Sequence, residues 1–361
     1  MLSRIRKRLQ FEFAQLLTVR SSNRPWQMAL AAALACGLPA LLGVYVGQLQ
    51  LGLVGTLGGL VILYLPDRRM SLRMVILMAC AFAFSACYAL GLLSAFLPVL
   101  MLPMLVFVTV LVTMLCRFYD MPPPGALFFV MVTVIAAYTP HQFAQVPLLV
   151  GVLTLGCLLA VFIGFFYSLY AVTVNPPVAA IAPRKPDFNY IVVDSLFIGV
   201  FVGVSLLLAD LAQLDKPYWV PVSCLAVAQG NSLRAVWDRN VHRILGTAVG
   251  LLLSAALLTA PLNQWGMVVA IMVLMMLLEI AIVRHYAVAV MFITPLTILL
   301  AEAATLGHRA PIELMRLRLV DTLLGCLLGF LCGLCLHNAA LRSSCGRGLR
   351  TIFRVSDYKS L

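Results

Sequence analysis

The chain is short of charge. Only 11% of its 361 residues are Asp, Glu, Lys or Arg, against roughly a quarter in an ordinary soluble domain. With 63% hydrophobic residues and a mean hydropathy of +1.04, it cannot cover itself in a charged surface, so its outside must face lipid. No Gly-Lys pair occurs anywhere, which excludes a P-loop and self-contained ATP drive. Gly-x-Ser-x-Gly and His-Glu-x-x-His are also missing, and the five histidines (His141, His242, His285, His308, His337) lack metal-ligand spacing. Neither an enzyme nor a cofactor is expected.

Acid is scarcer than base: 13 Asp and Glu stand against 25 Lys and Arg, a net charge of +12. That excess does not imply nucleic acid, because the basic residues lie in loops between apolar runs, where membrane topology places them. A spanning helix needs about 20 apolar residues, so twelve would use roughly 240 and leave no sizeable soluble domain. The ten cysteines fall mostly inside apolar runs (Cys36, Cys80, Cys87, Cys157, Cys224, Cys326) and read as small packing residues. Cys332-Gly-Leu-Cys335 has redox spacing but lies mid-helix, without the strand that motif requires.

What is present is a series of apolar runs bounded by charge, Pro or Gly. They predict an all-α membrane protein of about twelve transmembrane helices. The first six are Trp26–Val46, Leu51–Leu65, Met74–Leu93, Leu97–Leu115, Ala126–Tyr138 and Leu148–Tyr170. A Pro-rich polar linker separates them from Ile191–Leu208, Tyr218–Gln229, Ile244–Ala260, Trp265–Ile282, Tyr286–Ala301 and Leu319–His337. The resulting organisation is a basic amphipathic segment (1–25), a six-helix repeat (26–170), a cytoplasmic linker (171–190), a second repeat (191–338) and a basic cytoplasmic tail (339–361). Arg4, Arg6, Lys7 and Arg8, followed by Ile5, Leu9, Phe13 and Leu16 at helical spacing, read as an interfacial helix and not a signal peptide. Trp26, Trp219 and Trp265 fall at span ends, as interfacial indoles do.

With the N-terminus inside, 21 of the 25 basic residues are cytoplasmic, and only Lys216, Arg309, Arg316 and Arg318 lie outside. The expectation is therefore a bacterial inner-membrane protein with both termini in the cytoplasm. The two halves also repeat. Arg117-Phe-Tyr119 matches Arg284-His-Tyr286 at an offset of 167, Gly156-Cys-Leu-Leu-Ala160 matches Gly325-Cys-Leu-Leu-Gly329 at 169, and Arg73 precedes Arg243 by 170. An even number of spans per half makes the repeats parallel.

Ionisable groups at membrane depth are costly and point to function or to structural pairing. Asp194 opens the seventh run, Asp238, Arg239, His242 and Arg243 crowd the start of the ninth, and Glu279 and Arg284 bracket the end of the tenth. Arg318 and Asp321 stand three apart on one face of the twelfth and are expected to pair. Leu51–Leu65 and Tyr218–Gln229 are too short to span untilted. Ala126–Tyr138 stops before Pro140 and Tyr286–Ala301 contains Pro295. Short or broken segments at matching places in two repeats are where transporters build their sites.

Tyr218-Trp-Val-Pro221, then Arg234, Arg239 and Arg243-Ile-Leu-Gly-Thr-Ala-Val-Gly250, resemble the hallmark of the fusaric acid resistance-like, or aromatic acid exporter, family. Arg318-Leu-Val-Asp-Thr-Leu-Leu-Gly325 resembles its second element. The first half lacks the Arg-x-x-Gly-Thr-x-x-Gly run, and the chain has only a linker where many members carry a large cytoplasmic domain. The resemblance implies efflux of aromatic or other weak organic acids. Some members work with a periplasmic adaptor protein, and plant relatives act as organic-anion channels. An anionic carboxylate would then be held by Arg243 and Arg318, with Thr247 in the motif beside them and Tyr218, Trp219 and Tyr286 offering aromatic faces. Asp321 or Asp194 would titrate or brace the site, with Asp238, Arg284 and Arg117 as further coupling or structural charges. The expected partners are the lipid bilayer, a small organic anion, an adaptor and further copies of the chain. An anion channel or permease and a non-transporting scaffold stay open beside efflux.

Overall fold

The computed structural model describes residues 24–174, 187–260, 262–302 and 311–353. The expected N-terminal interfacial helix, the middle of the linker, Arg309 and the last eight residues lie outside that range.

Every predicted apolar run is helical. In chain order the helices are α1 (Trp26–Tyr45), α2 (Leu49–Gly59, continued by a 3-10 turn, Leu60–Tyr64), α3 (Met70–Ser94), α4 (Pro98–Phe118), α5 (Leu127–Tyr138) and α6 (Val146–Val174). They continue with α7 (Asp194–Leu211), α8 (Trp219–Ala228), α9 (Leu233–Thr259), α10 (Gln264–Ile282), α11 (Tyr286–Glu302), α12 (Pro311–Leu336) and α13 (Ala339–Phe353). Their starts follow from local chemistry. Ser232 caps α9 by accepting from the Ala235 N–H at 3.1 Å, and Asn263 caps α10 through the Gly266 N–H at 2.7 Å. Pro221 falls in the first turn of α8, where its missing N–H breaks no helix bond, so it does not interrupt that helix.

Among the described residues, eight helices are long and apolar enough to cross a membrane: α1, α3, α4, α6, α7, α9, α10 and α12. The other four of the expected twelve (α2, α5, α8, α11) are too short. At 1.5 Å per residue the ten residues of α8 reach about 15 Å, half of the hydrocarbon thickness. These short helices are the core. All ten residues of α8 are buried, as is α5 from Phe128 to Ala136. The long helices turn apolar side chains outward instead, with Val99 86% and Phe82 78% exposed, as a lipid-facing wall requires.

The packing pattern recurs. Helix α1 packs on α2, α2 on α6, and α3 on both α5 and α6. In the second half α7 packs on α8, α8 on α12, and α9 on both α11 and α12. Across the halves α4 meets α7 as α10 meets α1, and α5 touches α8 as α11 touches α2. Matched glycines make the close approaches. A Cβ on Gly156 would run into the Gly55 carbonyl of α2, and one on Gly325 into the Val220 carbonyl of α8. Such contacts let backbones pack where hydrophobicity gives no drive to associate.

The tail is not simply a basic extension. Residues 339–353 form α13, which follows α12 after two residues and docks against a π turn, Asn189–Val193, at the head of α7.

Candidate functional site

Helix α8 organises the site. Trp219, Ser223 and Ala226 lie at i, i+4 and i+7 and share one face. Toward that face come α9 with Arg243 and Thr247, α11 with Thr294 and Thr297, and α12 with Arg318 and Thr322. Together with Trp219 and the opening turns of α5, these residues line one cavity.

Arg318 is 6% exposed. Its Nη2 donates to Thr297 Oγ1 at 2.7 Å, and its guanidinium carbon lies 3.3 Å from the Trp219 ring centroid. Thr297 can accept because its own proton goes to the Thr294 carbonyl at 3.0 Å. Thr294 and Thr322 also donate to backbone carbonyls of their own helices, so each presents oxygen lone pairs to its surroundings. Arg243 donates from Nη2 to Ser223 Oγ at 3.3 Å, and its buried Nε has no hydrogen-bond partner among the described residues. Arg318 enters seven residues into α12 and Arg243 ten into α9, so both reach roughly 10–15 Å past a helix end. Between them about 10 Å³ is free, close to the space of one water. The arrangement can bind an anion, but it must open to do so.

A larger hollow of about 240 Å³ lies between α1, α2 and α6. It is an open apolar groove on the lipid face and offers no such chemistry.

Four of the predicted binding residues therefore meet: Arg243, Arg318, Trp219 and Thr247. Two do not line the cavity. Tyr218 packs behind Trp219 (centroids 5.1 Å apart) and against Tyr138 (6.0 Å), while Tyr286 lies near Arg239 and His242. Trp26 and Trp265 are exposed at helix ends, but Trp219 is 1% exposed and no interfacial anchor: its ring faces the buried Arg318 guanidinium. Asp321 is buried one turn along α12 from Arg318 without lining the cavity.

Most of the other charges named from the sequence form ion pairs. Asp194 accepts from Arg117 Nη1 at 2.7 Å and from Arg342 Nε at 2.8 Å, joining α4, α7 and α13. Arg117 also donates to the Tyr190 carbonyl and stacks on that ring at 4.4 Å. Glu279, buried at the end of α10, pairs with Arg24 at 2.8 Å. Arg73 pairs with Asp67, and Asp238 with Arg234 at 3.1 Å. Arg284, matched in sequence to Arg117, is an exposed side chain with no ion pair among the described residues. The sequence reading missed Ser223, Thr294, Thr297 and Thr322. The Thr-Pro-Leu-Thr run around Pro295 was the available signal.

Helices of this length and apolarity, with polar side chains turned inward, define a multi-pass integral membrane protein. Within it, residues 203–332, which include the cavity's α8, α9, α11 and α12 contributions, match the profile of the fusaric acid resistance protein-like family. Over 133 residues, 36% of this chain and 21% of the other, it is 33% identical to the uncharacterized membrane protein YvaC of Bacillus subtilis. Over 134 residues, 37% of this chain and 18% of the other, it is 28% identical to the uncharacterized protein YhfK of Escherichia coli. The match thus spans about a fifth of each relative's length. No solved structure matches the chain.

Proposed function

We propose that the protein exports small organic anions, aromatic or other weak acids, across the bacterial inner membrane under an ion gradient. The observation that carries this reading is the convergence of Arg243 and Arg318 on one closed cavity beside an aromatic face and a set of threonine oxygens. Guanidinium is the side chain best shaped to hold a carboxylate by two hydrogen bonds. The family match over 203–332 supports the same reading, because it covers these elements.

The proposed scaffold is two parallel six-helix repeats with both termini cytoplasmic. The recurring helix pairings, the matched glycine contacts and the distribution of basic residues support it. In this scheme α2, α5, α8 and α11 are the short inner helices of the repeats, and the cavity is built mainly by the second, with α5 of the first completing its wall. The first half carries Leu149 and Val152 at the offset of Arg318 and Asp321, so it does not repeat this cavity.

Release of labelled aromatic acids from preloaded cells, with the pH gradient intact or collapsed, tests the activity. Export that needs the chain and slows when the gradient collapses is the expected result. A passive anion pathway is the second reading, favoured by the row of guanidiniums along α8, and flux that follows voltage alone would identify it.

A further inference from the structure

Three arginines, not two, face α8. Arg318 stacks on Trp219, Arg243 donates to Ser223, and Arg239 Nη1 donates to the Ala226 carbonyl at 3.4 Å. These contacts step along one face of α8 over about 10 Å, from residue 219 to residue 226. Arg239 is therefore the rung farthest from Trp219, one turn of α9 before Arg243.

Its surroundings set it apart from the paired arginines of the molecule. Its contacts are a backbone carbonyl and the face of Tyr286, whose centroid is 5.9 Å from the guanidinium carbon. The nearest acid in sequence, Asp238, is engaged by Arg234 through an i,i+4 pair on α9. His242 packs on His285 with ring centroids 4.9 Å apart and on Tyr286 at 6.5 Å, adding two groups that become cations when protonated. Among the described residues Arg243 likewise has only a neutral hydroxyl as hydrogen-bond acceptor. Two guanidiniums one turn apart, half-buried and matched only to neutral groups, repel each other, and an anion between them removes that cost.

We propose that Arg239, with Tyr286, is a second anion-binding station at the mouth of the pathway, which passes a carboxylate or other small anion to Arg243 and then to Arg318. This rests on the reading that anions occupy the Arg243–Arg318 cavity. It gives Tyr286, which lies outside that cavity, a place on the route as the aromatic wall of the first station.

The test uses the full chain in proteoliposomes with Trp26, Trp237 and Trp265 changed to Phe, leaving Trp219 as the only tryptophan. Its fluorescence is quenched with iodide, an anion, and with neutral acrylamide, each applied in turn to either face. A cationic station raises the local anion concentration, so iodide applied at the face where α9 begins should quench Trp219 more than charge-blind access allows. Arg239→Gln should lower that iodide quenching constant by about threefold or more, leave acrylamide quenching unchanged, and leave quenching from the opposite face unchanged. Arg239→Lys should restore most of it, because the charge returns. Iodide quenching that Arg239→Gln does not alter, while Arg243→Gln lowers it, overturns the station and spares the cavity. Quenching indifferent to both changes, or no iodide quenching at all, overturns the station and the cavity reading together.

Discussion

The guanidinium of Arg318 lies 3.3 Å from the centre of the Trp219 ring while Nη2 hydrogen-bonds Thr297 at 2.7 Å. Both side chains are buried, so the ring replaces water on one face of the cation. A cation over tryptophan is worth about 2 kcal/mol when desolvated. Removing a buried tryptophan costs about 3–5 kcal/mol through the cavity left behind.

Trp219→Phe should therefore keep the fold, keep a ring under Arg318 and weaken anion binding by several-fold. Trp219→Ala should lower thermal stability by several kcal/mol and abolish binding. Melting in detergent and equilibrium binding of labelled benzoate separate the two effects.

Arg243 and Arg318 should differ in how they fail. Arg243 is half-buried and has a neutral partner, so Arg243→Gln should fold normally and cut flux about tenfold or more, the loss of one charge-assisted contact. Arg318→Lys should recover little, since an ammonium lacks the planar fork and cannot reproduce the stack on Trp219. Asp321→Asn should lower expression as well as transport if Asp321 braces Arg318, because an uncompensated buried cation is costly. The readout is transport at matched membrane levels of protein.

Asp194→Asn tests the clasp between α4, α7 and α13. One carboxylate, 8% exposed, holds two guanidiniums, so its loss leaves both without their main acceptor. A destabilisation of about 3–5 kcal/mol is expected. Cys345 on α13, which is partly exposed, should at the same time react faster with a thiol reagent, measured in a Cys335→Ser background. Unchanged stability and unchanged labelling would show that the clasp is incidental.

The glycine contacts give a test of the repeat. Gly156→Ala and Gly325→Ala should each disrupt folding, because their methyl groups would strike the carbonyls of Gly55 and Val220. Gly151→Ala on α6 is the control, since nothing lies within 4 Å of its new atom, and it should be neutral. Equal damage from the matched pair and none from the control is the expected pattern in expression and monodispersity.

Much of this was legible in the chain. Apolar runs located α1 to α12 but not α13, which lies in the stretch read as a basic tail, and the shortness of Leu51–Leu65 and Tyr218–Gln229 pointed to where a site could be built. Arginine at membrane depth is rare enough that Arg243 and Arg318 stood out at once. The threonines did not, because a threonine in an apolar helix donates to its own backbone whichever way it faces. Trp219 misled for a related reason: a tryptophan at a helix start reads as an interfacial anchor unless one knows the helix is buried. The pairing of Arg24 with Glu279 needed the fold, since no local pattern joins α10 to the start of α1.

The central claim is that an anion is held between Arg243 and Arg318. Counterflow of labelled benzoate in proteoliposomes tests it most directly, with the full chain, Arg243→Gln and Arg318→Gln reconstituted at equal amounts per vesicle. The account predicts saturable counterflow for the full chain, a fall to about a tenth or below for each variant, and unlabelled benzoate competing only in the parent. Counterflow by both variants at the parent's rate would contradict it, and would place the anion's path elsewhere in the molecule.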